Sequence, residues 1–531
     1  MRRGIFFCIL SLALRCVCIT SAARSNEYSN IQNVRELMSE LHLSHQAEVP
    51  TVEALQISTL TDKDKASMAC DLIRAVLGAS NVSTPSTPGY THLVQVNWSD
   101  SCWLQPRCIA QPSTARDISR ILLIITCLAS KFAVRSGGHN PNPGFAGIDS
   151  PGILIDMSAV DDITLSKDKS VVSIGAGNRA GRVYKTLSTM GKTIMGPRLN
   201  AVGIGGYMLG GGLTYFSSRY GFAADNIINY EVVLANSSVV NANATSNRDL
   251  WWALKGGGPN FGIVTRYDFE TVDNTPLWFE GRGYDPSQSD QLLDAIFKYA
   301  HTAEQDSDAA ITFSLTPESG FVEFIYRKPV VYPKAYEAFF DIPVRKVVFN
   351  STIGGMAKLN DAISDITPLD KARHMIGSIV YKFDEVTLRK SYSMLLELEP
   401  EVKKFNASTG FVVQPFTSSA VRYSSKSGGN PIGLEPTLQN FMTYSITWEH
   451  GVDDEKALAA INSYTKKVED LAKSRGVYLE GKIMNDANFM QKVLASYGTE
   501  NLDRMKAVSR RYDPLQVFQK LQNDGFLLSK A

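Results

Sequence analysis

Three glycine clusters lie between Arg135 and Val264, and they constrain this chain more than any other feature of its sequence. They read Arg135-Ser136-Gly137-Gly138-His139, then Gly203-Ile204-Gly205-Gly206-Tyr207-Met208-Leu209-Gly210-Gly211-Gly212, then Gly256-Gly257-Gly258-Pro259-Asn260-Phe261-Gly262-Ile263-Val264. Glycine reaches positive φ without strain and lets main-chain N–H groups approach a ligand with no Cβ in the way. Consecutive N–H groups form a nest for an anion. Hydrogen bonds to a charged group are worth about 1.5–3 kcal/mol each, so a few donors can hold a pyrophosphate without a lysine. One such stretch alone is an ordinary turn. Three together, one of them ending in histidine, point to a shared ligand site.

A fourth glycine pattern is a decoy. Gly175-Ala176-Gly177-Asn178-Arg179-Ala180 follows a strand-like run and satisfies G-x-G-x-x-G/A. A dinucleotide site of that type also needs an acidic residue about 20 positions on. No Asp or Glu occurs between Asp168 and Asp225, so the match reads as a tight strand–helix turn. The same interval carries Arg179, Arg182, Lys185, Lys192 and Arg198, which leaves room for an anionic group without carboxylate repulsion.

Hydrophobic patterning divides the chain. Helices are expected around Asn33–Leu43 and over Asp62–Leu77, with a loop over Val82–Gly89. Strands are expected at Phe132–Arg135, Gly152–Asp156, Ser170–Ile174, Tyr230–Ala235 and Gly262–Phe269. Ser246 and Asp249 read as a capping box for a helix that buries Leu250, Trp251 and Leu254 and stops at Gly256. After about Thr275 the pattern becomes antiparallel: Ala310–Leu315, Val322–Arg327 and Phe441–Trp448 alternate, separated by amphipathic helices such as Glu455–Ala472. The tail returns to helix, with Leu502, Met505 and Val508 on one face, Asp513-Pro514 capping the next turn and Gly525 ending it.

The 531 residues carry a formal net charge of +1, which disfavours a nucleic-acid partner. Arg2 and Arg3, the apolar run Ile5–Leu14 and the small residues Ser21, Ala22 and Ala23 read as a signal peptide over 1–23, and no segment reads as membrane-spanning. Sequons at Asn81, Asn97, Asn236, Asn243, Asn350 and Asn406 agree with a secreted or secretory-lumen protein. Removal of Cys8, Cys16 and Cys18 with the signal leaves Cys70, Cys102, Cys108 and Cys127, enough for two disulfides of undetermined pairing or for buried thiols. His42, His45 and Glu48 form at most a weak metal pattern, and neither H-E-x-x-H nor G-x-S-x-G occurs, so no metal site and no hydrolase elbow are expected.

The region from about Gln105 to Val272 resembles the FAD-binding domain shared by vanillyl-alcohol oxidase and p-cresol methylhydroxylase. It is most similar to the berberine-bridge-enzyme-like branch of fungal secondary metabolism. The resemblance continues through Asn485-Asp486-Ala487, Ala495-Ser496-Tyr497-Gly498, Glu500-Asn501 and Tyr512-Asp513-Pro514-x-x-Val517-Phe518. It implies an α+β fold with a two-part FAD-binding domain of the p-cresol methylhydroxylase type. Residues 24–272 (core 105–272) and a returning segment 481–531 form that domain. An inserted substrate domain, 275–480, of antiparallel sheet plus helices roofs the isoalloxazine.

The resemblance also assigns residues. His139 stands where the family bonds the flavin 8α-methyl, a task that needs a neutral imidazole. Arg135, Ser136, Gly137, Gly138, Val202, Gly203, Gly205, Gly206, Asn260, Gly262 and Ile263 are the accompanying cofactor-binding positions. A second link, from cysteine, falls at Leu199 and is impossible, so FAD is expected on a single bond. Val202 sits where oxygen-reactive members tend to carry valine. The base transfers badly: the position of a glutamate five residues before a tryptophan is Thr443, relative to Trp448, and that of a tyrosine two residues before Asn485 is Ile483. Asn485 and Tyr444 remain as candidate catalytic residues. The implied reaction is two-electron oxidation of a small alcohol, amine or activated C–H compound, with or without cyclisation, and with molecular oxygen as acceptor. A dehydrogenase using another acceptor and a non-catalytic flavin-bearing binding protein are the rivals.

Overall fold

In the computed structural model the protein is described at Leu37, Leu41 and residues 60–367 and 371–531. Short apolar strands begin it. Cys108–Ala110 and Phe132–Arg135 each pair in parallel with Ile153–Asp156, and Val82–Ser83 closes one edge antiparallel. Parallel pairing requires a crossover. Helix Ala115–Leu128 supplies it, burying Ile118, Ile121, Leu122, Ile125 and Leu128. Its start is a capping box: Thr114 Oγ1 accepts from the Asp117 N–H at 3.1 Å, and the Asp117 carboxylate accepts from the Thr114 N–H at 3.0 Å. Helix Asp62–Leu77 is capped in the same way by Thr61 and Asp64 and packs on this layer.

A second sheet is antiparallel throughout, in the order Ile163–Leu165, Val171–Gly175, Ile263–Glu270, Ile227–Val233, Val239–Asn243. The inserted domain is a nine-stranded antiparallel sheet. Helices Ser289–Ala303, Glu385–Val402 and Asp454–Ser474 bury apolar faces in its core. Within it, Arg373–Lys382 and Gln439–Trp448 pair over their whole length. The chain then comes home: the Phe132 N–H donates to Leu521 O at 3.0 Å, and the Asn523 N–H donates to Phe132 O at 2.7 Å. The architecture is thus a two-domain α+β fold whose flavin-type domain is completed by the tail.

Several expectations need correction. Asn247, in the left-handed region, takes the N-cap of helix Arg248–Leu254. The Ser246 N–H goes to Asn243 Oδ1, and the Asp249 carboxylate is drawn to Tyr512 and Arg511, both at 2.8 Å. The Ser246–Asp249 box therefore does not form. Among the described residues one disulfide joins Cys70 to Cys108, while Cys102 and Cys127 do not bond each other, so of the alternatives left open a second bridge between them is ruled out. Asn97 is buried, its Nδ2 donating to Cys102 O at 2.9 Å, so that sequon is closed to glycosylation in the folded protein. Leu37 is helical, and both Leu37 and Leu41 are buried; the remainder of Asn33–Leu43, the segment 1–23 and the group His42, His45, Glu48 lie outside the described residues. Among the described residues no helix is long and apolar enough to cross a membrane.

Cys70 and Cys108 are 38 residues apart and tie helix Asp62–Leu77 to the sheet that holds Cys108–Ala110. By loop-closure entropy, replacing both by Ala should cost about 4 kcal/mol of stability. Denaturant unfolding of the double variant checks this, and a loss below about 1 kcal/mol would contradict it.

Candidate active site

The glycine clusters meet because two of them lack side chains at the point of contact. A Cβ on Gly137 would overlap the backbone of Gly203, and a Cβ on Gly203 that of Gly137. Ser136 locks the junction: its hydroxyl donates to Ala176 O at 2.7 Å and accepts from the Gly205 N–H at 3.2 Å. Tyr267, from the second sheet, donates to Gly205 O at 2.9 Å. The third cluster joins through the Gly258 N–H, which donates to Leu209 O at 3.0 Å. Gly175 and Gly177 serve a different purpose. Side chains there would collide with Val160 O and Met157 O, so this is the tight turn that the missing acidic residue implied.

Around the junction lies a cavity of about 400 Å3. Ser136, Gly137, Gly138, His139, Val202, Gly203, Gly205, Gly206, Gly262 and Ile263 line it. The inserted sheet contributes Ile376 and Thr443, and the returning segment contributes Ile483, Asn485 and Asp486. Gly206 differs from the packed glycines: a Cβ there meets nothing within 4 Å, so the space beside it belongs to the cavity.

Three expected site residues face elsewhere. Arg135 is buried against Asp156, its register partner in the parallel pair, with Nε 2.9 Å from Asp156 Oδ2. A buried guanidinium requires such a carboxylate. Asn260 spends its amide on Gly257 O and Phe526 O at 2.7 and 2.9 Å, and its Oδ1 accepts from the Leu528 N–H at 2.9 Å. It knots the tail to the third cluster rather than lining the cavity. Tyr444 lies one residue from Thr443 on a strand, so it faces the helical core and bonds Thr465. Burial raises its pKa, which further removes it from base chemistry. Asn485 does line the cavity, but its Oδ1 accepts from the Gly212 N–H and its Nδ2 donates to Tyr207 O, both at 3.0 Å. These bonds make it a brace for the second cluster.

The cationic interval is also quieter than its composition implied. Arg182, Lys185 and Lys192 pair with Asp161, Asp361 and Asp273, acids from outside the interval. Arg198 alone of the five lines the cavity.

His139 is the chemical centre. Burial, then the nearby positive charges of Arg179 and His374, lower its pKa to about 4. Its imidazole is therefore neutral and nucleophilic at ordinary pH. Trp98 stacks on it with ring centroids 4.6 Å apart and stacks its other side on His374 at 4.0 Å. The strap holding Trp98 is the closed sequon: the Trp98 N–H donates to Gly138 O at 2.9 Å, and Ser99 Oγ accepts from the His374 N–H at 3.0 Å. Sequence reasoning missed Trp98 because Asn97-Trp98-Ser99 was read only as a glycan acceptor.

A polar group closes the far side. Arg198 donates to Gln414 Oε1, Gln414 Nε2 donates to Thr443 Oγ1 at 3.0 Å, and Thr443 Oγ1 donates to Asp486 Oδ2 at 3.1 Å. Buried Glu323, its pKa pushed up to about 7 by burial, reaches Tyr215 at 3.4 Å.

The profile of the FAD binding domain family matches residues 106–243. An FAD-dependent monooxygenase of Arthrobotrys oligospora is 35% identical over 463 residues, covering 87% of this chain and 90% of that protein. The chain belongs to the FAD-dependent oxidoreductase family of that relative. Solved structures share its fold. Wild-type berberine-bridge-enzyme-like protein 1 of Physcomitrella patens superimposes with a TM-score of 0.69 at 19% identity, over 88% of this chain and 99% of that one. Berberine bridge enzyme of Eschscholzia californica gives 0.69 at 16% identity, over 86% and 98%. The protein is an FAD-dependent oxidoreductase.

Its residues fit FAD. Main-chain groups of the glycine clusters wall the cavity, Gly206 leaves an opening where a side chain would stand, and a neutral imidazole faces the same space. These glycines separate two roles. Gly137→Ala should destabilise the fold by about 2 kcal/mol or more, because backbone must move. Gly206→Leu should leave stability within about 1 kcal/mol of the parent, since leucine suits a helix better than glycine, while abolishing FAD retention. Thermal unfolding and the visible spectrum read the two effects, and a yellow Gly206→Leu protein would contradict the placement of the cofactor.

Proposed function

We propose that this oxidoreductase is an FAD-linked oxidase that holds its flavin on one covalent bond through His139 and oxidises a small organic molecule. The observation that carries the reading is the buried, neutral His139 at the wall of a glycine-built cavity. When bound, the flavin supplies a two-electron acceptor. The chain supplies the rest. Ser136, Gly137, Gly203 and Gly206 offer main-chain surface to the diphosphate. Trp98 restricts His139 from one side and excludes water from it. Leu199, lining the cavity, offers no nucleophile, which supports a single link. Ile376, Leu213 and Ile483 give the substrate end an apolar wall.

Val202 lines the cavity, and by family resemblance it favours oxygen as the acceptor. The substrate is a small alcohol, amine or activated C–H compound of secondary metabolism, and the protein works in the secretory lumen or outside the cell. The disulfide supports that location. The name of the Arthrobotrys oligospora relative supports a second reading, monooxygenation, in which an oxygen atom stays in the product.

Turnover under labelled oxygen separates the two. An oxidase releases one peroxide per product and places no label in it, whereas labelled product without peroxide would replace the oxidase by a monooxygenase. Attachment has its own pH signature. Because the His139 pKa lies at about 4, its nucleophilic form persists well below the usual histidine range. Incorporation of FAD into flavin-free protein should therefore hold from pH 8 to about pH 5 and fail toward pH 4, where the ring protonates. Failure beginning near pH 6.5, the ordinary value, would contradict the buried setting of this ring.

A further inference from the structure

The cavity has lost both bases that the family resemblance implies. Thr443 and Ile483 occupy those positions, both line the cavity, and neither accepts a proton at ordinary pH. Tyr444 faces the other side of its strand. Yet a carboxylate is present. Among the described residues that line the cavity, Asp486 is the only carboxyl side chain and Arg198 the only guanidinium.

The surrounding hydrogen bonds orient Asp486 for a task. Arg198 donates to Gln414 Oε1, which fixes the amide so that Nε2 faces Thr443 Oγ1 at 3.0 Å and Asp486 Oδ2 at 3.4 Å. The Thr443 hydroxyl, already accepting from Gln414, must direct its own proton to Asp486 Oδ2 at 3.1 Å. The Thr443 proton thus falls on Oδ2, beside a Gln414 amide whose nearer acceptors are Thr443 Oγ1 and Phe441 O at 3.3 Å, and from the described residues Oδ1 receives no hydrogen bond. Donors to one oxygen hold a carboxylate still while leaving the other to accept. Asp486 is also partly exposed, so a proton taken up can pass on to water.

We infer that Asp486 Oδ1 is the proton acceptor for the substrate, standing in for the base that position 443 does not supply. The inference rests on the flavin reading of the cavity and narrows its substrate class to compounds bearing O–H or N–H on the carbon that is oxidised. For an alcohol, the O–H bond breaks and its proton goes to Asp486. That bond's electron pair becomes the second C–O bond, and the C–H hydrogen leaves with its two electrons to the bound FAD. Asp486 then releases the proton to solvent. Thr443 and Gln414 are positioning residues, and Arg198 balances the charge at the other end of the chain of bonds.

The test compares holoenzyme with Asp486→Asn, an isosteric change, or with Asp486→Ser should the first not fold. Two inert probes, benzoate and benzyltrimethylammonium, are titrated and read from the flavin absorption spectrum. Loss of a cavity carboxylate should tighten benzoate and weaken benzyltrimethylammonium, each by about tenfold. Anaerobic bleaching of the flavin by any alcohol that reduces the parent should slow by about 10²–10⁴-fold. Unchanged affinities for both probes, or bleaching at the parental rate, would overturn the assignment of Asp486. A colourless parent protein would instead remove the flavin reading on which it rests, so the two failures are distinct.

Discussion

Backbone against backbone at Gly137 and Gly203 is the contact on which this structure depends. Neither residue can carry a side chain without pushing the two segments apart. Because they touch, Ser136 reaches both Ala176 and Gly205, and the loop ending in His139 lies against the opening turn of helix Ile204–Leu209. In that turn the Ile204 N–H donates to Asn178 O at 2.8 Å and the Gly205 N–H to Ser136 Oγ, which leaves the end of the helix tied to both neighbouring loops. The glycines therefore act in two ways: some let the chain close on itself, and Gly206 leaves room for what the closure surrounds.

Burial then sets the chemistry. A histidine in water is partly protonated near neutrality, whereas His139, shut in by Trp98 and near Arg179, stays neutral. Trp98 lies between His139 and His374, so the His139 ring of the flavin domain and a strand of the inserted sheet share one stack. The polar cluster opposite is built jointly as well, from Arg198, from Gln414 and Thr443 of the insert, and from Asp486 of the returning tail. Each part of the chain thus supplies one wall of the cavity, and no part forms it alone.

Much of this was legible in the residues. The glycine clusters identified the junction, and the strands at Phe132–Arg135, Gly152–Asp156 and Phe441–Trp448 fell within a few residues of those observed, because β-rich runs between glycine-rich turns have few other solutions. The side chains that went astray did so for identifiable reasons. Arg135 sits in a motif that touches the cavity, but parallel register sets it beside Asp156, a partner 21 positions away. Asn260 is claimed by Phe526 and Leu528 from the tail. Tyr444 is one step out of phase on its strand. Asp486 was visible only as part of a terminal motif, since its meaning comes from Thr443 and Gln414, both distant in the chain. Long-range partners decide such cases, and local pattern does not contain them.

The central claim is that a glycine-built cavity holds FAD and that His139 anchors it. Mass spectrometry of a tryptic digest of the purified native protein tests this directly. The account predicts a single flavin adduct on the peptide containing His139, absent from His139→Ala. An adduct on another peptide, or native protein that carries no flavin and takes up none when FAD is supplied, would contradict it.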